Sequence, residues 1–148
     1  MPIPALTAEG FLPPGVHDCT LEELHREFGQ FQRSDARPRL FRRLEAFIRD
    51  AIRTGYFCAI IVDGSFTTDI DSPNDIDLIL VLRRGHDFAA TTRPFEYNVL
   101  SRRQVRRIYR FDTLIGEDGS VEVDDHIRFF SQIRERDDLR KGMMRILL

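Results

Sequence analysis

Two aspartates stand one residue apart, directly before an apolar run, in the segment NDIDLILVL. In an extended strand, side chains two residues apart point to the same side, so Asp75 and Asp77 would project together, with Cα atoms roughly 6–7 Å apart. Carboxylates at that distance repel each other, and a divalent cation between them removes the repulsion. Mg²⁺ is expected where carboxylate and phosphate oxygens share the ligand positions. The alternative is that the pair only solubilises a strand edge.

A Gly-Ser pair ends the preceding apolar run, in the segment IIVDGS. Gly64 lets the backbone come close to a ligand, and Ser65 offers a hydroxyl and an N–H group to an anion. Nine residues separate Ser65 from the first aspartate of the pair. The alternative for Ser65 is that it caps a turn. A second Asp-x-Asp, at Asp69 and Asp71, is discounted because Ser-Pro follows it instead of a strand.

A third acidic residue, Asp112, lies inside the apolar segment YRFDTLI, where an isolated acid needs a partner or a function. Glu122 and Asp124 lie in a polar stretch after a turn, where surface or N-cap roles are expected. Pairing of Asp112 with a nearby arginine is the alternative. The preceding segment, 102–110, would form a basic helix face. That face is either a solvated surface or a binding surface for a triphosphate or an RNA.

Apolar periodicity and turn residues divide the chain into helices and strands. Helices are predicted to begin at Thr20, at Pro38, near Ser101 and near Asp124. Strands are predicted at 56–64, 75–82, 108–115 and 142–148. Residues 86–97 are expected to be irregular, with Pro94 as a breaker. This order predicts a mixed α/β (α+β) domain with helices packed against one sheet.

The length of 148 residues suits one domain, 1–148, in which residues 1–18, with four prolines, form an extended N-terminal arm. Hydrophobic residues make up 42% and charged residues 31%, and the net charge of −2 shows no overall bias toward nucleic acid. No apolar run reaches the roughly 20 residues that cross a membrane, and the first 15 residues lack the features of a signal peptide. Cys19 and Cys58 form no zinc motif. We therefore expect a cytoplasmic protein.

Taken together, IIVDGS and NDIDLILVL resemble the signature of the nucleotidyltransferase superfamily related to DNA polymerase beta. That signature is an apolar strand, Gly-Gly or Gly-Ser, a loop of about this length, and Asp-apolar-Asp on the next strand. The resemblance covers roughly residues 56–115. The whole chain also looks like a small bacterial family described only as polymerase/nucleotidyltransferase-like. The resemblance implies a nucleotidyltransferase fold, a small mixed sheet flanked by helices.

The implied activity is metal-dependent transfer of a nucleoside monophosphate from an NTP to a hydroxyl group of a protein or RNA acceptor. By this resemblance, the catalytic residues that bind Mg²⁺ or Mn²⁺ would be Asp75, Asp77 and Asp112. Asp112 would also act as the general base. The nucleotide would be bound by Gly64, Ser65, Thr67 and Lys141. For the lysine, an ordinary charge at a strand end is the alternative. The chain lacks the further glycine and the basic residue that many small members carry after Gly-Ser.

The small size implies that a partner protein or a second copy of the chain holds the acceptor. Small bacterial relatives act in toxin–antitoxin pairs or phage defence, and neither a membrane nor a DNA partner is expected. Two other hypotheses stay open. The missing basic residue favours a catalytically weak binding module or partner subunit. The arginines of 102–110 favour an RNA-binding protein.

Overall fold

The computed structural model describes residues 3–148, which form seven strands and five helices. The strands are β1 (Val16–Asp18), β2 (Phe57–Asp63), β3 (Asp77–Leu82), β4 (Asp112–Glu117), β5 (Gln132–Ile133), β6 (Arg136–Arg140) and β7 (Met143–Leu147). The helices are α1 (Leu21–Phe28), α2 (Ala36–Thr54), α3 (Pro94–Leu100), α4 (Arg102–Ile108) and α5 (Val121–Ser131). A single 3₁₀ turn, Ser65–Thr67, follows β2.

Five of the strands form one mixed sheet in the order β1–β7–β2–β3–β4. Strand β2 runs antiparallel to both β7 and β3, whereas β1 pairs with β7 and β3 pairs with β4 in parallel. Strands β5 and β6 form a separate hairpin. The central strands β2 and β3 are buried on both faces, as their continuous apolar runs indicate. The predicted mixed α/β class is therefore confirmed.

The two faces of the sheet carry hydrophobic cores of different size. Alternate residues such as Ile60 and Leu78 point to the larger core, which is shared with Phe47 of α2 and other helical residues. The intervening residues, such as Ile79, point to a smaller core that includes Val123 of α5. Because the odd-numbered positions from Ala59 onward in β2 and those of β3 share this second face, Asp63 and Asp77 belong to it too.

Local signals in the sequence account for the main helix boundaries. The capping box at the start of α1 is confirmed: the Thr20 hydroxyl accepts from the N–H of Glu23 at 3.0 Å, and the Glu23 carboxylate accepts from the N–H of Thr20 at 2.9 Å. Helix α2 ends at Gly55 in the left-handed conformation, with φ 70°. Ser101 caps α4 by accepting from the N–H of Gln104.

Several predicted boundaries are wrong for identifiable reasons. Residues 86–97 were expected to be irregular, but Pro94 begins α3, because proline is tolerated in the first turn of a helix. Helix α5 begins at Val121, three residues before the predicted start, because Ser120 caps it. The sequence VDDHIRFFSQIRERDD predicts that this helix continues to Asp138, but it ends at Ser131. The charged segment 132–140 has no apolar face to bury and folds as the β5–β6 hairpin, with Glu135 at φ 64°.

The ends of the sheet also differ from the prediction. The last residues of the N-terminal arm form β1, the edge strand beside β7. Strand β4 begins at Asp112 instead of residue 108, because α4 continues to Ile108 and Arg110 adopts φ 66°. Within residues 3–148, none of the helices has the length and apolar character that crossing a membrane requires.

Candidate functional site

Three aspartates lie side by side at one end of the sheet. Asp63, the last residue of β2, is the register partner of Asp77, the first residue of β3. Asp77 is in turn the register partner of Asp112, the first residue of β4. Side chains of directly paired residues point to the same face of a sheet. The structure therefore brings together two of the predicted acids and adds a third, Asp63, that was not predicted.

A cavity of about 780 Å³ opens over these aspartates. Asp63, Asp77 and Asp112 line it from the sheet, and basic side chains line it from α4, the β5–β6 hairpin and the residue after that hairpin. These basic residues are Arg102, Arg106, Arg134, Arg136, Arg140 and Lys141. The cavity thus has an acidic floor and a basic wall. Two arginines of the predicted basic helix face take part in it.

Asp77 is the acid at the centre of this arrangement. It is half-buried and lines the large cavity as well as two smaller ones beside it. Burial raises the pKa of Asp77, the negative charge of Asp75 raises it further, and Lys141 and Arg106 oppose the shift. Within residues 3–148 its carboxylate forms no hydrogen bond or ion pair. Asp77 is therefore a carboxylate that is available to a ligand.

Asp75 precedes β3 instead of lying in it, so the two aspartates do not form the predicted in-strand pair. Its carboxylate accepts from the N–H of Ser65 at 2.7 Å and also bonds to the Ser65 hydroxyl. The N–H groups of Asn74 and Asp75 donate to that hydroxyl. The Ser65 N–H, which was expected to be free for an anion, is therefore held by Asp75.

The Gly-Ser turn is built on close backbone contact. Gly64 has φ 95°, and a Cβ atom there would lie 3.0 Å from the carbonyl oxygen of Asp75 and the nitrogen of Asp77. The turn needs glycine for both reasons. Thr67 is buried and its hydroxyl donates to the carbonyl of Gly64 at 3.3 Å. Thr67 therefore braces the turn from beneath instead of facing a ligand.

Asp63 is the most deeply buried acid of the site, with 1% of its surface exposed. One carboxylate oxygen lies 3.2 Å from the ammonium of Lys141, and the other has no hydrogen-bond partner in the described part of the chain. Burial raises the pKa of Asp63 to about 7, although the Lys141 ammonium opposes the shift. The sequence did contain a signal for Asp63. Asp63 is an isolated acid at the end of an apolar run, as Asp112 is an isolated acid within one.

Asp112 forms an ion pair with Arg106 of α4. It begins β4 instead of lying inside an apolar strand, and its side chain is 46% exposed. The alternative that this aspartate pairs with an arginine is therefore realised. The pair still belongs to the site, because both side chains line the large cavity.

A buried arginine, Arg37, shapes the loop between the turn and the aspartates. It is 2% exposed, and its guanidinium donates to the carbonyls of Phe66 and Thr68 at 2.7 Å and to those of Phe28 and Ile70. It thereby holds the loop that carries Ser65 in one conformation. The sequence offered no signal for it, because nothing distinguishes this arginine from the others of α2.

The oxygen donors at the sheet end are of the kind that a hard cation such as Mg²⁺ or Mn²⁺ binds. The half-buried carboxylate of Asp77, which has no protein partner within residues 3–148, fits such an ion. Across residues 3–148, however, no three His, Cys, Asp or Glu side chains are grouped to hold a metal ion. Asp75 is bound by Ser65 and Asp112 by Arg106. A cation would therefore be held by Asp77 together with a carboxylate released from its protein partner.

Comparisons with known proteins give one result for this chain. A family model described as a family of unknown function (DUF6932) matches residues 4–147, which is nearly the whole sequence. No curated protein and no solved structure matches.

Proposed function

We propose that this chain, which belongs to the DUF6932 family of unknown function, is a metal-dependent nucleotidyltransferase. It would move a nucleoside monophosphate from an NTP to a hydroxyl group of a protein or RNA acceptor. The observation that carries the proposal is the alignment of Asp63, Asp77 and Asp112 beneath a cavity with a basic wall. The resemblance of the Gly-Ser and Asp-x-Asp segments to nucleotidyltransferases supports it.

The charges of the cavity favour a polyphosphate that carries a cation. Six basic side chains and four aspartates line it, with three of the aspartates on the sheet. Arginines alone would attract a triphosphate, but the acidic floor would repel one. Phosphate oxygens and carboxylates can occupy the same small space only with a divalent cation between them. The mixed lining therefore fits an NTP with Mg²⁺ better than either an anion or a cation alone.

Each site residue has a role in this proposal. Asp77 and Asp75 would hold Mg²⁺ or Mn²⁺, which when bound would neutralise charge on the attacking and leaving oxygens. Asp112 would accept the proton of the acceptor hydroxyl. Ser65 and Lys141 would donate to phosphate oxygens, and Gly64 would let the phosphates approach the backbone. Thr67 is buried and would therefore make no contact with the nucleotide.

A second function is favoured by the partners that the acids already have. Asp75 is bound by Ser65 and Asp112 by Arg106, so the fold could serve as a nucleotide-binding module or partner subunit that performs no transfer. In that case the chain would bind an NTP in the basic cavity without releasing pyrophosphate. In the transfer reaction, by contrast, a partner protein or a second copy of the chain would hold the acceptor.

Release of pyrophosphate from radiolabelled NTPs tests the proposal. The chain would be incubated with each NTP, with Mg²⁺ or Mn²⁺, and with protein and RNA acceptors. We expect metal-dependent release and label transfer that fall by about 100-fold or more in Asp75→Asn and Asp77→Asn. Asp71→Asn is the matched control, because Asp71 lies in the same loop and forms an exposed ion pair with Arg33. Metal-dependent NTP binding with no release in any variant would instead support the binding module.

A further inference from the structure

Lys141 is the single lysine of a chain whose other basic residues are 21 arginines, out of 22 Lys and Arg in total. Its backbone is fixed on both sides. The N–H of Lys141 donates to the carbonyl of Ser131 at 2.9 Å, and that of Gly142 donates to the carbonyl of Leu12 at 2.9 Å. A Cβ atom on Gly142 would collide with the carbonyl oxygen of Pro13. The residue after the β5–β6 hairpin is therefore held firmly between the hairpin and the N-terminal arm.

The lysine side chain lies where two cavities meet. It lines the large cavity over the aspartates and also the smaller one that Gly64, Ser65 and Asp75 line. Its ammonium lies 3.2 Å from the carboxylate of Asp63, and the two side chains are 17% and 2% exposed. The ammonium is thus close both to the Gly-Ser turn and to the acidic floor.

We infer that Asp63 is a positioning residue, whose buried carboxylate holds the Lys141 ammonium at this junction so that it binds the polyphosphate of the nucleotide. This inference rests on the proposed function. The ammonium would replace the basic residue that is missing after Gly64 and Ser65. A lysine side chain has a flexible four-carbon stem, so a fixed partner is needed to keep its charge in one place.

The hydrogen-bonding capacity of the pair supports this role. An ammonium has three donors, and Asp63 takes one of them, which leaves donors for phosphate oxygens. The second oxygen of Asp63 has no partner within the described residues, so the burial of this carboxylate is poorly compensated. A buried ion pair with an unsatisfied oxygen is a weak source of stability, and apolar residues would serve that purpose better. The arrangement is better explained by what the lysine does in the cavity.

Binding of inorganic tripolyphosphate in the presence of Mg²⁺, measured by calorimetry, tests the inference without requiring catalysis. The variants are Asp63→Asn, Lys141→Met and the double variant. We expect each single variant to raise the Kd about tenfold, and the double variant to bind no more weakly than Lys141→Met alone. Asp18→Asn is the control, because it breaks an exposed ion pair to Arg145, which is absent from the cavity linings named above.

The melting temperature separates positioning from a purely structural role. Lys141→Met should lower the Tm, because it leaves Asp63 buried without a partner, and the double variant should recover the Tm. If the pair were only structural, tripolyphosphate affinity would recover together with the Tm. We expect the Tm to recover while the affinity stays low. Recovered affinity in the double variant, unchanged affinity in Asp63→Asn, or no binding by the wild type would overturn the inference.

Pyrophosphate release by the same preparations distinguishes this inference from the proposed function. In an active enzyme, Asp63→Asn should raise the KM for the NTP about tenfold and change kcat little. Activity with an unchanged KM in Asp63→Asn would refute the positioning role alone. The expected pattern of tripolyphosphate affinities without any pyrophosphate release would refute transfer and leave the positioning role standing.

Discussion

The burial of Asp63 makes a quantitative prediction about how stability depends on pH. The carboxyl is almost fully covered, and burial raises its pKa from 3.8 to about 7, against the opposing charge of Lys141. Replacing it with asparagine keeps the size of the side chain and removes the titration. The comparison between Asp63→Asn and the wild type therefore isolates the ionisation of this one group.

The sign follows from the two pKa values. A carboxyl whose folded-state pKa lies above its unfolded value contributes stability that is fully present below pH 3.8 and is lost as the pH rises to about 7. Each pKa unit corresponds to about 1.4 kcal/mol, so the wild type should lose roughly 4 kcal/mol of unfolding free energy through Asp63 over this range. The free energy of unfolding of Asp63→Asn, relative to that of the wild type, should therefore rise by the same amount as the pH rises over this range.

Urea unfolding followed by circular dichroism measures this difference, since the chain has no tryptophan to report by fluorescence. The measurements would be made with a chelator at several pH values between 4 and 8. Asp18→Asn serves as the control: the hydrogen bond to Arg145 lowers the pKa of Asp18 below 3.8, so its contribution is lost only at lower pH and its difference from the wild type should stay nearly flat between pH 4 and 8. A difference for Asp63→Asn that is flat across this range would refute the raised pKa of this buried carboxyl.

Two further predictions concern the backbone around the site. Arg37→Met removes the guanidinium from four carbonyls and should lower the free energy of unfolding by roughly 3–5 kcal/mol in the same urea titrations. The control is Arg39→Met, which breaks an exposed ion pair and should change the free energy of unfolding by less than about 1 kcal/mol. Gly64→Ala should lower the Tm more than Gly15→Ala. Both glycines have positive φ, but only the Cβ at Gly64 would meet neighbouring backbone. Equal losses in the two glycine variants would show that the close approach at Gly64 is unimportant.

Much of the fold could be predicted because its signals are local. The continuous apolar runs of β2 and β3 and the caps of α1 and α2 identify these elements without tertiary information. Strand β1 could not be predicted, because three residues of a proline-rich arm become a strand only by pairing with β7. Helix α3 could not be predicted, because a proline is compatible both with a helix break and with the first turn of a helix, and Pro94 begins α3.

Part of the candidate site could likewise be predicted from the sequence, and part could not. The types and order of Asp75, Asp77 and Asp112 are visible in the sequence, but their placement depends on strand register and on partners that are distant along the chain. The alignment of Asp77 with Asp112 follows from the parallel pairing of β3 and β4, which sequence spacing does not determine. The ion pairs with Arg106 and Lys141 likewise arise only in the fold.

The partners of the acids bear on how a site with so many opposed charges could accept a substrate. Two of its aspartates are held by protein groups that a ligand could replace: Asp75 by Ser65 and Asp112 by Arg106. In the proposed function, a cation–nucleotide complex offers both a cation to the acids and phosphate oxygens to their former partners. If Asp75 turned to the cation, the Ser65 N–H would be released toward phosphate, as the sequence suggested. Each exchange replaces one charged contact with another, so the desolvation already incurred on folding would not be incurred again on binding.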